Sequence, residues 1–322
     1  MATEIRKITS RNELKQFVRF QLELYKGNPY WCPPLIFDEL NTLGKDKNPA
    51  FESCEAEYWL AYRENKIVGR VAGIINSKAN ERWNEKFVRF ELSSLAAIYN
   101  YPYYPEHMVK LGFAKGVDWV HFEMGIPQEI PDKVTRAAAI ARDKYHLRTV
   151  PAKKAKDFLP YTKKMFRMMN VAFGDLYGYA ALNDRQIDLF VKQYFGFVRP
   201  EFVSLVIDEK EDVIAFGVTT PEMTHALQKC NGRLFPFGFI HLYRALKKND
   251  SMHMYLIGVR PDYQGRGALA LVYEQLHIAY LKLGIVRTTT HAQLENNLKA
   301  ISIWKNYDNR IYCRRRCWEK HI

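Results

Sequence analysis

The chain has no apolar run approaching the roughly 18–20 residues that a membrane-crossing helix needs. A spanning protein is therefore not expected. Its first residues, Met1-Ala2-Thr3-Glu4, lead into no apolar signal core, so the expectation is a cytoplasmic protein. Cysteine is scarce and odd in number: Cys32, Cys54, Cys230, Cys313 and Cys317 make no even framework. The last two are spaced to share one face of a strand, but no histidine joins them at a zinc-finger spacing. Free thiols in a reducing compartment fit this pattern best. Low-complexity segments are absent. So is the motif G-x-x-x-x-G-K-[ST], which argues against a nucleotide P-loop.

What is present suits a folded chain with room for two domains. It has 322 residues, 48% of them hydrophobic and 26% charged. The formal charge of +13 favours anionic ligands: nucleotide cofactors, nucleic acid, acidic lipid or an acyl carrier protein. It does not choose among them. The densest basic run, Arg314-Arg315-Arg316, reads either as a solvated terminal strand or as an electrostatic collar for a phosphorylated ligand.

The chain carries a weak internal repeat. Glu57 to Tyr62 and Lys66 to Ile75 alternate like two strands around Arg63-Glu64-Asn65. Phe202 to Ile207 and Val213 to Thr219 do the same around Asp208 to Asp212. The second strand of each pair has an internal glycine, Gly69 and Gly217, and each pair follows helical sequence. These helices are expected over Asn12 to Tyr25, and over Asp157 to Phe173 and Asp184 to Tyr194. Short apolar strands near Ile5 to Ile8 and Leu147 to Val150 start the two halves. Between them, Asp132 to Tyr145 is alanine-rich and preceded by Pro127 and Pro131, which reads as a helix joining two modules. The expected division is a degenerate or incomplete module over 1–128, a linker helix over 129–146 and a second module over 147–322. The abrupt joint at Phe90-Glu91 fits either a degenerate first module or missing residues.

The segment that carries chemistry lies in the second half. Met252 to Val259 is strand-like and stops at Pro261-Asp262. Gln264-Gly265-Arg266-Gly267-Ala268 follows, and then Leu269, Val272, Tyr273, Leu276, Tyr280 and Leu283 mark one face of a helix ending at Gly284. Ile285 to Ala292 is a further strand. The first N–H groups of a helix lack internal partners, and its dipole adds positive charge there. Glycines let a phosphate approach the backbone, so the turn is a candidate anion site, with Arg266 adding a full charge. A dinucleotide fingerprint tolerates Ala270 at its third glycine but fits less well, because the unit lies near the C-terminus after an antiparallel hairpin and no acidic residue ends the next strand.

These residues resemble the cofactor motif of the GNAT N-acetyltransferase superfamily, R/Q-x-x-G-x-G/A, with Gln264 and Gly267 in place and Leu269 where a small residue is usual. Val259-Arg260-Pro261 resembles the strand end that pairs with the pantetheine arm. Asn297-Leu298-Lys299-Ala300 with Ile303-Trp304 resembles the asparagine-led helix of that superfamily. The likeness is good over about 147–322 and weaker over 1–125. More narrowly, the chain is similar to bacterial tandem-GNAT proteins, with Asn48-Pro49, Val68-Gly69-Arg70 and Arg233 to Gly238 in support.

The resemblance implies a mixed α/β fold of two modules. Each would be a mostly antiparallel sheet flanked by helices, and the second would hold the β-α-β cofactor unit. It implies coenzyme A, as acetyl-CoA or a longer acyl-CoA, on Val259, Gln264, Gly265, Arg266, Gly267, Ala268 and Asn297. The central strands would splay to receive pantetheine. An amine of unknown identity would attack the thioester directly, helped by a base and an acid.

The position where the superfamily often has its tyrosine acid is Trp304 here, and indole is no acid near neutral pH. Tyr307 is the candidate substitute, or else an aromatic lining the cleft. His253 is the candidate base or a structural histidine. Glu222 could reach the cleft or serve a helix N-terminus. The insert Pro221 to Asp250 is either extra core or a wall for an acceptor or a longer acyl chain. Three readings follow: an N-acyltransferase, a catalytically silent acyl-CoA-binding or interaction protein of the same fold, and a nucleic-acid binder. The last is weakest, since no basic helix or aromatic–basic recognition motif occurs.

Overall fold

The computed structural model describes residues 2–83 and 99–320. The joint at Phe90-Glu91 lies outside them. The first elements are β1 (Glu4–Lys7), α1 (Arg11–Leu24), α2 (Ile36–Leu43), β2 (Cys54–Arg63), β3 (Lys66–Asn76), α3 (Ser77–Trp83) and α4 (Tyr103–Lys110). Next come β4 (Ala114–Gly125), α5 (Asp132–Tyr145), β5 (Arg148–Thr149), α6 (Leu159–Ala172), α7 (Asp184–Tyr194), β6 (Val203–Ile207) and β7 (Val213–Pro221). The chain continues through α8 (Thr224–Cys230), α9 (Gly238–Lys247), β8 (Ser251–Val259), α10 (Ala268–Leu283), β9 (Arg287–Thr290), β10 (Gln293–Leu294), α11 (Leu298–Ile301) and β11 (Asn309–Glu319). No helix among the described residues is long and apolar enough to cross a membrane. No disulfide joins the five cysteines, all of which lie among the described residues.

Two compact units result. The first is Met1–Tyr104 with Met223–Lys247, and the second is Pro105–Glu222 with Lys248–Ile322. The first contains an antiparallel sheet in the order β1-β2-β3. Helix α1 starts at a capping box, in which the Ser10 hydroxyl accepts from the Glu13 amide and the Glu13 carboxylate accepts from the Ser10 amide. Its inner face carries Phe17 and Val18 onto Tyr58, Leu60 and Ala72 of the sheet. Burial of each large side chain contributes about 1.5–3 kcal/mol. One charge is sealed in with them. Arg70 on β3 donates to the Phe17 carbonyl at 2.8 Å and to Gln21 at 3.1 Å, and stands 3.7 Å from Glu39 of α2.

The second unit is built on an eight-stranded sheet. Strands β5-β6, β6-β7 and β7-β8 pair antiparallel, β8 and β9 are parallel, and β9 and β4 are antiparallel. Val120 and Trp119 of β4 are paired on both edges, by Gln293 and Leu294 of β10 and by Arg314 and Arg315 of β11. One sheet face carries Met252, Met254, Val120 and Phe122 onto α5 and α10. The other, over β6 and β7, meets Met165, Met168 and Met169 of α6.

The compact units do not follow the boundaries expected from the sequence. Helix α5 occupies the expected residues, yet it is not a connector: Ala138 and Ala141 are fully buried in the second unit's core. Its alanines serve close packing. A Cβ on Gly267 would sit 2.2 Å from the Ala137 carbonyl oxygen. Strand β4, expected within the first module, instead lies inside the second unit's sheet. Pro127 and Pro131 mark the turn between β4 and α5, which need not be a domain border. The insert after β7 belongs to the first unit, where Leu227 and Cys230 of α8 pack with Cys32.

The arginine run fits neither expectation fully. Arg314 and Arg316 point to one side of β11, where both donate to the buried Asp118 carboxylate at 2.8–3.1 Å. Their bonds hold that carboxyl down to about 2, with Arg316 the main cause. Arg315 points the other way and is partly buried.

Candidate functional site

The glycine loop sits between β8 and α10 as the sequence predicts. Pro261 opens a short 3-10 turn, and the chain reaches α10 through Gly265 at φ +76° and Gly267 at φ +80°. Both values are left-handed, a region where residues with a Cβ are strained. The two glycines differ in surroundings. Gly267 is pressed against α5, whereas a Cβ on Gly265 would meet nothing within 4 Å. Gly267 is therefore demanded by helix packing and Gly265 by backbone conformation at an open surface.

Within the loop the Arg266 amide bonds the Tyr263 carbonyl, and the Ala270 and Leu271 amides bond the Gly267 carbonyl. The amides of Gly265, Gly267, Ala268 and Leu269 take no backbone partner among the described residues. They stand at the positive end of a 16-residue helix, which suits an anion. The Arg266 guanidinium lies 5.0 Å from the Tyr263 ring and 5.4 Å from the Tyr145 ring, which hold it beside this end.

Beside the loop the two central strands part. β8 and β9 pair from Ser251↔Arg287 to Met254↔Thr290, and the His291 amide makes the last bond, to the Met254 carbonyl at 2.9 Å. From Leu256 to Val259 the backbone of β8 is paired with β7 on its other edge, beyond the last β9 pair. Val259 thus ends a strand edge that faces the gap. Unsatisfied backbone groups on such an edge can bind an extended amide-bearing ligand.

Asn297 caps α11, its side chain accepting from the Ala300 amide at 3.3 Å. Trp304 is buried in the core, donating its indole N–H to Gln293 at 2.9 Å and packing edge-on to Tyr273. Tyr307 lies 6.3 Å from that ring and lines a small apolar cavity with Met124, Met254, Leu276 and Thr288. Burial raises its pKa.

His253 is on the opposite side of β8 from Met254, since successive side chains alternate. The structure therefore does not bring His253 and Tyr307 together. His253 accepts or donates at Nδ1 to the Thr289 hydroxyl at 2.8 Å, and its Nε2 is buried without a partner.

On this second face the sequence reading missed a larger grouping. His253, His291 and His121 follow one another with ring centroids 5.8 and 6.1 Å apart. Tyr255 lies 5.5 Å from His291, and Tyr312 lies 5.9 Å from His121. Burial is the main reason all three imidazoles have lowered pKa values, to about 3 for His121 and about 4 for His291. The nearby Arg315 guanidinium adds to the effect. Its own Nε and Nη2 are buried and unpartnered. At neutral pH these imidazoles are uncharged, since burial and Arg315 disfavour their protonated forms.

His291 is the best placed of them. It is only partly buried, sits at the point where the strands separate, and makes no side-chain hydrogen bond to a described residue. Its signal in the sequence was weak, a single histidine ending the threonine run Thr288-Thr289-Thr290. Nothing in the pattern foretold that β4 would bring His121 beside it. The described residues contain no grouping suited to a metal ion.

No family model matches the chain. It is 22% identical to the protein YghO of Escherichia coli K12, covering 99% of this chain and 95% of that protein. It is 23% identical to a bacterial ceramide synthase of Caulobacter vibrioides, covering 96% and 95%. The YghO match runs over 376 residues, more than the 322 of this chain, so the alignment includes positions without a counterpart here.

Among solved structures, the fold matches a tandem GNAT protein from the clavulanic acid biosynthesis pathway at TM-score 0.52 and 11% identity, covering 98% of each chain. A GCN5-related N-acetyltransferase from Sphaerobacter thermophilus matches at 0.51 and 9%, covering 99% and 95%. A glucosamine N-acetyltransferase region of a fungal multi-domain β-N-acetylglucosaminidase matches at 0.55 and 13%, and this chain spans 38% of that one. The chain has the tandem GNAT fold.

Proposed function

We propose that the second unit is a CoA-dependent N-acyltransferase site. The observation that carries this reading is the pairing of the glycine loop, whose amides open a long helix, with a strand edge left free beside it. The residues fit the ligand. The amides of Gly265, Gly267 and Ala268 with Arg266 would hold the pyrophosphate, Gln264 would flank it, and the β8 edge up to Val259 would pair with the pantetheine amides. Asn297, as the cap of α11, would border the same cleft. Acetyl-CoA or a longer acyl-CoA brings a carbonyl activated as a thioester.

The amine nitrogen forms its bond to that carbonyl carbon as the carbon–sulfur bond breaks. The amine proton must leave, and His291 is in the neutral form to take it. His253, sealed at Nε2 and bonded through Thr289, supports the same face. Tyr307 would protonate the departing thiolate only if sulfur emerges on the opposite face of the splay. The acceptor is an amine of unknown identity. The relative named as a ceramide synthase, whose product is an N-acylated lipid, makes a long-chain acyl-CoA and an apolar amine the first pair to test.

The test is thiol release from acetyl- to palmitoyl-CoA across an amine panel. Turnover that is lost in His291→Gln supports the proposal. Tight CoA binding without turnover for any pair favours the second reading, a silent acyl-CoA-binding protein, for which Trp304 in place of a tyrosine speaks.

A further inference from the structure

The insert between β7 and β8 is absorbed neither by the glycine loop nor by the histidine face. Its first-unit portion, Met223–Lys247, contains Lys229, Arg233, Arg244 and Lys247 and no Asp or Glu. In a chain where 35 acidic residues accompany 48 basic ones, the absence of any acid leaves the four cations of this segment without a local counter-charge.

The same segment displays aromatics to solvent. Phe235 is 79% exposed, Phe237 68% and Tyr243 56%, and Phe239 is exposed as well. Large apolar side chains in such numbers are not accidental surface, since exposed apolar patches mark interaction sites. Helical spacing places Phe239, Tyr243 and Lys247 on one side of α9. Phe235 extends that row, its ring 6.0 Å from Phe239, and the Lys247 ammonium lies 4.8 Å from the Tyr243 ring.

The display is built rather than loose. The Arg233 amide bonds the Cys230 carbonyl and the Phe239 amide bonds the Leu234 carbonyl. Gly238 is buried so tightly that a Cβ would fall 1.8 Å from the Arg233 carbonyl oxygen. On the inner side Leu242 packs with Leu227 and Cys230 of α8. Helix α9 is thus anchored by one face and presents aromatic rings and cations with the other. Elsewhere in the same unit Tyr30 and Phe37 are also exposed; the Gln228 amide binds the carbonyls flanking Tyr30, and the Ile36 amide binds the Gly232 carbonyl.

We infer that this aromatic and basic face of α9 is a docking surface for an anionic lipid bilayer. Phenyl and phenol rings partition into the headgroup–acyl boundary, and Lys and Arg beside them attract acidic headgroups. A nucleic acid would match the charge but leave the phenylalanines at the tip Phe235-Pro236-Phe237 with no apolar phase to enter, and so would an acidic protein surface. The inference rests on no part of the acyl-transfer reading.

The test uses the full chain and cosedimentation with vesicles of phosphatidylglycerol and phosphatidylethanolamine, against vesicles of phosphatidylcholine alone. Binding to the anionic vesicles is expected, at least tenfold stronger than to phosphatidylcholine and weakened by salt. The pair Phe235→Ser and Phe237→Ser should reduce it about tenfold, and so should the pair Arg244→Glu and Lys247→Glu. These positions are exposed, and an unchanged thermal midpoint shows that the variants fold. Absence of binding to anionic vesicles at low salt overturns the inference. So does binding that ignores both pairs, or retention on single-stranded DNA without vesicle binding. CoA affinity is measured alongside and should be the same in both pairs, so failure of this inference and failure of the CoA reading are separable.

Discussion

Each unit contains an antiparallel hairpin whose second strand has an internal glycine, and the two glycines stand in different surroundings. On β7, a Cβ at Gly217 would be 2.5 Å from Val272 and 3.1 Å from Leu276, because α10 crosses the strand there. On β3, a Cβ at Gly69 would meet only the Ala61 methyl at 3.4 Å. The second unit continues from its hairpin into β8, the glycine loop, α10 and β9, while the first has no such continuation among its described residues. The hairpin is thus shared scaffold. What the second unit adds is a helix laid across its glycine, following the loop that leaves β8.

The units also bury their acids in opposite ways. Asp118 meets two arginines whose heads keep contact with water, and its pKa falls to about 2. Glu39 meets Arg70 where both side chains are almost wholly buried, and desolvation outweighs the attraction to lift its pKa to about 7.

If the chemistry belongs to the second unit alone, His291→Gln should lower turnover about 10²- to 10⁴-fold, the usual range for a general base, and leave CoA affinity unchanged. Wild-type turnover should fall as pH drops through about 4, where His291 gains its proton. A thiol-release assay across pH checks both points.

Next in size is Gly217→Val, which forces side-chain atoms into Val272 and should cost about 1–3 kcal/mol. Gly69→Ala has room and should change stability by less than about 0.5 kcal/mol. Equal effects in denaturant titrations would erase the contrast between the hairpins.

Asp118→Ala should cost about 2 kcal/mol, below the 3–5 typical of sealed pairs, because Arg314 and Arg316 can rehydrate. The two acids also predict opposite pH slopes. The lowered pKa of Asp118 gives stability that is present above about 4 and lost as pH falls toward 2. The raised pKa of Glu39 gives stability that is full below about 4.5 and lost as pH rises through about 7. Comparing each neutral variant, Asp118→Asn and Glu39→Gln, with the parent in urea at pH 3, 5 and 8 isolates each slope. The pKa of Glu39 is displaced further than that of Asp118, so its pH-dependent difference is the larger of the two.

Local pattern carried most of the elements. Alternation located both hairpins, and the alanine-rich stretch gave α5 its bounds. Proline, glycines and an amphipathic run in order located the loop. What local pattern could not carry was long-range pairing. Ala114 to Gly125 alternates no more clearly than other segments, yet β4 is paired on both edges, and its partners β9, β10 and β11 lie far along the chain. For that reason β4 counts with the second compact unit, and His121 and Arg315 reach His253 and His291 only through β4 and β11. Tyr307 and His253 were legible as chemistry-bearing residues, but the sheet face each would take depended on register.

The central claim is that the Gly265 to Ala268 turn holds the cofactor, and it is tested best at Gly265. Gly267 is fixed by packing against α5, so a change there would confuse folding with binding. Gly265→Glu places a carboxylate in open space at the helix N-terminus. Calorimetric titration with CoA should show binding to the parent chain and a loss of at least tenfold in Gly265→Glu beyond any loss in Gly265→Ala, which carries the same left-handed strain without the charge. Equal affinity in the two variants would contradict the account.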